Sequence, residues 1–377
     1  MSSRGWCTSF AILLILGSKS LAALSFDFTY IDDANGTFAT RGWLDPDSLF
    51  QQNIRAAAEL WGAQFDSDET IVIDIDPMSF AARAGGTNTL GRFLYQNAAG
   101  KDVWEFGPLT RILTGDNPGE DFFGFDILLG FEAEFVEDYY WFDPQPELRS
   151  ASVPSDKGDF VSVVLHEMGH GFGMTGYRDY DTGEISGDTA TQFDDLSYYG
   201  GDGNPFDSNG DPNPLFFGGN LAASLYGSDL PLTHKPSDDF LFSQNFYHLS
   251  ACNAASADSL EGTLMNGCVL PDGERLYITP FDMAVYADMG YPLAELPGDY
   301  NDSGTVDTAD YVVWRKYDGS QVGYDTWRAH FGATADNGSG AHGNAAVPEP
   351  INLSQIILAA AAVFTRRRRC TWAVQNS

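Results

Sequence analysis

Apolar side chains along this chain recur with two periods, and their alternation predicts a mixed α+β domain. From Asp47 to Phe65, the residues Leu49, Ile54, Ala57, Ala58, Leu60, Trp61 and Phe65 fall at helical spacing. Thr70-Ile71-Val72-Ile73-Asp74-Ile75 instead alternates as a half-buried strand does. From Phe160 to Phe172 the stripe is denser. Phe160, Val161, Val163, Val164, Leu165, Met168 and Phe172 predict a buried helix, with Asp156 or Asp159 to cap its start. Gly169, Gly171 and Gly173 then predict a stop where the chain turns sharply. Between Asp179 and Pro214 turn-forming clusters replace the periodicity, among them Asp202-Gly203-Asn204 and Asp207-Ser208-Asn209-Gly210-Asp211. They read as solvated loop, with calcium held by hard oxygens as the alternative. Residues 23–294 form one domain on this reading.

The dense helix carries the chemistry. His166-Glu167-Met168-Gly169-His170 sets two imidazoles one turn apart with a carboxylate between them. At i and i+4 both rings project from one face and can bind the same metal, leaving Glu167 to handle a water. A surface helix with incidental histidines does not explain the apolar run that leads into the motif. A hydrolytic zinc site uses three protein ligands and one open position. The chain has six histidines, so a third ligand must come from His234, His248, His330, His342 or an acidic group such as Asp179.

The motif resembles the metzincin pattern HExxHxxGxxH, with Gly173 at its glycine, but Gly176 stands where that pattern ends in histidine. Downstream, Gly262-Thr263-Leu264-Met265-Asn266 and the stretch from Tyr277 to Tyr291 look like the closing part of a leishmanolysin-like metzincin. The resemblance spans most of residues 26–292 and is concentrated in 160–176 and 246–291. It implies a metzincin-like zinc protease domain, a twisted sheet with long helices. It also implies His248 as the third zinc ligand, with His234 and Asp179 as alternatives, and Met265 as the methionine of the turn beneath the metal. Glu167 is then the catalytic residue of a zinc metalloendopeptidase that hydrolyses bonds in a polypeptide substrate.

A second unit, 295–335, begins near Pro297. In Asp299-Tyr300-Asn301-Asp302-Ser303-Gly304-Thr305-Val306-Asp307-Thr308-Ala309-Asp310, oxygen-bearing side chains occupy loop positions 1, 3, 5, 9 and 12. Asp299, Asn301, Ser303, Asp307 and Asp310 would supply side-chain oxygens to calcium, Thr305 a backbone carbonyl, and Gly304 the bend. The unit resembles a dockerin type I module, which implies a cohesin-like partner. Its second repeat, from Tyr324 to Gly332, lacks an acidic loop, so one Ca2+ is expected. A calcium-stiffened spacer is the alternative.

Arg4 followed by the apolar run Phe10 to Gly17 makes residues 1–22 a signal peptide, and hence predicts a secreted protein. A linker, 336–346, leads to Val347-Pro348-Glu349-Pro350, an apolar stretch and Arg366 to Arg369. Residues 347–370 resemble a PEP-CTERM sorting signal, which implies an exosortase-type processing enzyme at the surface of a Gram-negative bacterium. Contact with the membrane is expected only through this tail. Of the four cysteines, signal and tail account for Cys7 and Cys370, leaving Cys252 and Cys268 to pair in an oxidising compartment. That disulfide would contribute about 3 kcal/mol in the chain-entropy model. Removing the six bases of signal and tail from a net charge of -33 leaves about -39, a surface that excludes nucleic acid as a partner. The rival function is a non-catalytic adhesion protein, or a dockerin-mediated assembly component, with a structural zinc site. Glu167 argues against it, because closed coordination has no use for a free carboxylate.

Overall fold

A computed structural model of the chain describes residues 24–77, 84–179, 182–209, 213–233, 245–249, 260, 262–267, 271–294, 296, 298–300, 305–317, 319 and 321–333. The expected signal segment, His234, Cys252, Cys268, Asn301, Ser303, Gly304, the linker, His342 and the sorting segment lie outside the described residues. The described residues fall into two compact units, one ending at 296 and one comprising 298–300 and 305–333.

The first unit is α+β. Its first six strands are β1 (Ser25–Tyr30), β2 (Thr70–Asp76), β3 (Ala84–Asn88), β4 (Leu90–Gln96), β5 (Asp102–Phe106) and β6 (Ile127–Phe131). Four of them make a mixed sheet of order β1-β2-β6-β3, in which β2 pairs in parallel with β1 and β6 while β3 runs antiparallel at the edge. Alternation in β2 buries Ile71, Ile73 and Ile75 completely on one face. β4 and β5 form a hairpin extended by Thr189–Thr191, and Ser197–Tyr199, Leu215–Phe217 and Leu230–Leu232 form a small antiparallel sheet.

The helix expected over 47–65 forms as Leu49–Gly62, and the Ser48 side chain caps it by accepting from the Gln51 N–H. Its buried face is Phe50, Ile54, Ala57, Ala58 and Trp61, whereas Leu49, expected inside, is 39% exposed. Helical periodicity explains this: position 50 and not 49 shares a face with 54, 57 and 61. This long helix packs on a second one, Phe160–Phe172, which also crosses β3 and β6. Rings of Trp61, Phe65, Phe172, Tyr286 and Tyr291 fill the junction, with centroids as close as 4.9 Å. The Trp61 indole N–H donates to the Leu165 carbonyl at 2.9 Å, so the same side chain packs the core and positions the second helix.

The stretch read as solvated loop contains a strand, Thr189–Thr191, the short helix Gln192–Leu196 and the strand Ser197–Tyr199. Elements of three to five residues are too short to show a period.

In the second unit, helices Thr308–Tyr317 and Gln321–His330 pack through Tyr311, Trp314, Tyr324 and Trp327. Val306 closes the unit by exchanging backbone hydrogen bonds with Gly332 and Ala333, both at 2.8 Å.

Replacing Trp61 removes a large buried ring and a hydrogen bond together. Trp61→Ala is expected to lower stability by about 3–5 kcal/mol. Urea unfolding of the mature chain measures this, and a loss below about 1 kcal/mol would show that the junction does not depend on the ring.

Candidate metal centre

Asp159, not Asp156, caps the helix Phe160–Phe172: its carboxylate accepts from the Ser162 N–H at 3.0 Å and the Ser162 hydroxyl at 2.7 Å. Every apolar position predicted for this helix is buried. Of its 13 residues, only His166, Glu167 and His170, the residues of the motif that bear chemistry, keep partial exposure. Gly169 and Gly171 do not stop the helix, which runs on to Phe172. They are points of close approach: a Cβ at Gly169 would stand 2.2 Å from the Met265 sulfur, and one at Gly171 would stand 2.6 Å from Ile127. The stop is Gly173 alone, whose φ of 130° only glycine adopts without strain.

Each ring of the motif is oriented through its Nδ1. His166 Nδ1–H donates to the Leu264 carbonyl at 2.8 Å and His170 Nδ1–H donates to the Met174 carbonyl at 2.7 Å, leaving both Nε2 lone pairs free. The third ring is His248. Its Nε2 lies 3.1 Å from His166 Nε2 and 3.2 Å from His170 Nε2. Tetrahedral coordination at a metal–nitrogen distance of about 2.05 Å separates ligand nitrogens by roughly 3.3 Å. The donor set and its spacing therefore fit one zinc-sized cation. Among the described residues no other cluster of three histidine, cysteine or acidic ligands is present. Asp179 is not part of it, because its carboxylate closes its own turn by accepting from the Thr182 N–H and hydroxyl, both at 2.9 Å.

Burial lowers the pKa of His166, and lowers that of His170 to about 3 with help from the charge of His166, so both rings are neutral and able to ligate at pH 7. Burial also pushes the Glu167 carboxyl up to about 8, against a hydrogen bond from the Gly86 backbone. A cation at the imidazoles would draw it back down.

The bed beneath the rings is built from the C-terminal part of the unit. Asp282, fully buried, accepts from the N–H groups of Leu264 at 3.1 Å, Met265 at 3.0 Å and Thr279 at 2.7 Å, and from the Thr279 hydroxyl at 2.7 Å. It thereby caps the helix Pro280–Asp288 and holds the turn whose carbonyl orients His166. His248 is held on both sides, since its carbonyl accepts from the Thr233 N–H at 3.1 Å and the next N–H, of Leu249, donates to the Met265 carbonyl at 2.7 Å. Carbonyls at the end of the motif helix are bound by Tyr286 at Gly169, by Tyr291 at Phe172, and by Asn88 of β3 at His170 and Gly171.

Sequence reasoning did not single out Asn88 or Gly86, which carry no local signal. Asp282 had one: Thr279-Pro280-Phe281-Asp282 has the spacing of a capping box. In the second unit, the Asp310 carboxylate is fully buried and accepts from the Asp307 N–H at 2.7 Å, and Asp307 accepts from the Ala309 N–H. Asp299 and Thr305 are also described, while the other expected calcium ligands are not.

Comparison with protein-family models and with curated proteins finds no match for this chain, so its functional reading rests on the site itself.

Asp282→Ala would strand the buried N–H groups of Leu264 and Met265, each costing about 1–3 kcal/mol, and the half-buried N–H of Thr279. The variant is expected to lose stability and metal affinity together, whereas Asp282→Asn, which keeps one acceptor oxygen, should lose less of both. Thermal unfolding with and without zinc checks this. Equal, wild-type zinc stabilisation in both variants would detach Asp282 from the metal bed.

Proposed function

We propose that the chain is a secreted zinc-dependent metalloendopeptidase whose first unit is metzincin-like. The observation that carries this reading is the convergence of His166, His170 and His248 Nε2, with Glu167 and the two motif histidines the only partly exposed residues of an otherwise buried helix. Zinc, when bound by the three imidazoles, supplies Lewis-acid polarisation of a carbonyl oxygen and makes water easier to deprotonate. Glu167 does the proton work: it takes the proton of the attacking water and delivers it to the leaving amine nitrogen.

The edge strand supports a polypeptide as substrate. Among the described residues β3 pairs with β6 on one side and is terminal in its sheet, an edge of the kind that adds an extended chain by backbone hydrogen bonds. β3 also touches the catalytic segment directly, since a Cβ at Gly86 would stand 1.8 Å from the Glu167 carbonyl oxygen. A peptide added to β3 would run past Glu167 and the three imidazoles.

The second unit is a calcium-binding, dockerin-like module on this reading, with Asp299, Asn301, Ser303, Thr305, Asp307 and Asp310 as ligands to one Ca2+ and a cohesin-like protein as partner. Asp310, buried in the first turn of its helix, is the ligand this reading depends on most. Cys252–Cys268 pairing and processing of the tail by an exosortase-type enzyme complete the proposal.

Glu167→Ala is expected to reduce kcat/KM for peptide hydrolysis by about 10²–10⁴-fold while zinc content stays at one per chain. Hydrolysis at the wild-type rate would exclude the mechanism. His248→Ala, in contrast, should weaken zinc binding by more than the roughly 10–100-fold seen for outer-shell changes. Chelator competition reads this, and unchanged affinity in His248→Ala with loss in His234→Ala would move the third ligand to His234.

A further inference from the structure

Between Gly176 and His248 the chain makes a long excursion, and connectivity alone does not return His248 to the helix that carries the other two rings. One buried carboxylate is placed to do so. Asp194 is 1% exposed. Its Oδ2 accepts from the Tyr177 N–H at 3.0 Å, from the Thr191 N–H at 3.1 Å and from the Thr191 hydroxyl at 3.1 Å, and its Oδ1 faces the Tyr247 hydroxyl at 3.5 Å. That tyrosine hydroxyl accepts in turn from the Arg178 N–H, and the Thr191 hydroxyl also reaches the Thr175 carbonyl at 3.1 Å. The backbone of the turn leaving the motif helix is thus fastened, at Thr175, Tyr177 and Arg178, to Asp194 or to a group it holds.

Gly176 lies inside this turn. A Cβ there would stand 2.3 Å from Asp194 Oδ1, so the carboxylate takes up the space that a side chain at position 176 would need. Tyr247, at the other end of the network, is the residue immediately before His248 and is itself 5% exposed, edge-on to Phe193 at 5.9 Å. Capping of the helix Gln192–Leu196 accounts for the bonds between Asp194 and Thr191. It does not account for those to Tyr177 and Tyr247, which belong to other segments.

We propose that Asp194 is a positioning residue for the third imidazole: it ties the exit of the motif helix to Tyr247 and so sets His248 against His166 and His170. The proposal rests on the metal-centre reading above. An ionised carboxylate suits the task because it is acceptor-only at both oxygens, and donors approach it from three separate segments. An amide keeps a single acceptor oxygen, so Asp194→Asn can retain part of the network and Asp194→Ala none.

The test uses the mature chain with Asp194→Asn, Asp194→Ala and His248→Ala. Zinc affinity is read by chelator competition, ligand geometry by the visible spectrum after cobalt(II) loading, and local order by hydrogen exchange of segment 245–249 without metal. Asp194→Ala is expected to weaken zinc binding about 10–100-fold, to move the cobalt(II) spectrum toward that of His248→Ala, and to accelerate exchange at 245–249. Asp194→Asn should fall between wild type and alanine in all three. A lowered unfolding midpoint with an unaltered cobalt(II) spectrum in the folded variants would reduce Asp194 to a structural cap and overturn the proposal. Should Asp194→Ala fail to fold, a wild-type spectrum and exchange rate in Asp194→Asn would overturn it equally. Wild-type protein that takes up neither ion would sink the metal-centre reading. Exchange at 245–249 would still decide whether Asp194 holds His248, acceleration supporting it and no change refuting it.

Discussion

The hydrogen bond from His166 Nδ1 to the Leu264 carbonyl, 2.8 Å long, joins the two halves of the first unit at the candidate site. On one side of it lies a helix whose burial is dictated by its own apolar positions. On the other lies a turn whose Leu264 and Met265 side chains are buried in the core and whose backbone is held by polar groups. Asp282 fixes the turn through the Leu264 and Met265 N–H groups, and Thr279 fixes Asp282. The orientation of one imidazole therefore depends on a cap one element further along the chain. A neutral imidazole with Nδ1–H committed to a carbonyl presents Nε2 and nothing else to a cation.

The same C-terminal part grips the motif helix at its other end. Arg149 donates to Asp159 at 2.9 Å, to the Ser162 hydroxyl at 3.0 Å and to the Leu276 carbonyl at 3.0 Å, while Arg275 pairs with Asp143 at 2.7 Å. All four charged side chains are buried. Desolvating them costs free energy that the pairing only partly returns, so the network is weak evidence of stability. Its geometric effect is clearer. It locks residues 275 and 276 to the N-cap of the helix, just as Tyr286 and Tyr291 lock the closing helix region to its last turn. With both ends fixed, Met265 is held at one height along the helix, beneath Gly169 and between the two histidines.

Much of this was legible where a period or a motif is written along one continuous segment. The two long helices, the alternation of β2 and the pairing of His166 with His170 on one helix face all follow from side-chain spacing. Legibility fails where function comes from contacts between distant segments. Asn88 and Gly86 meet the motif helix only because β3 closes the edge of the sheet, and no local pattern distinguishes them from other small or polar residues. Leu49 was misplaced because it is adjacent to Phe50 in sequence but about 100° away from it round the helix, off the stripe of 50, 54, 57 and 61. The choice between His248, His234 and Asp179 could not be made from spacing at all, since the excursion that follows the helix carries no period. Asp179 drops out for a local reason, the turn its own carboxylate closes.

Glycine in the motif illustrates the difference between local and tertiary meaning. Read along the chain, three glycines at 169, 171 and 173 look like one signal, a helix being dismantled. In the fold they answer separate constraints. Gly173 supplies a positive φ, Gly171 lets Ile127 approach, and Gly169 lets the Met265 sulfur come within a distance that a methyl group would forbid. Gly169 stands three residues after His166 and so beside it on the helix, and the turn that orients His166 reaches the helix through the gap this glycine leaves. An alanine there would displace the methionine, and with it the Leu264 carbonyl on which the first imidazole depends.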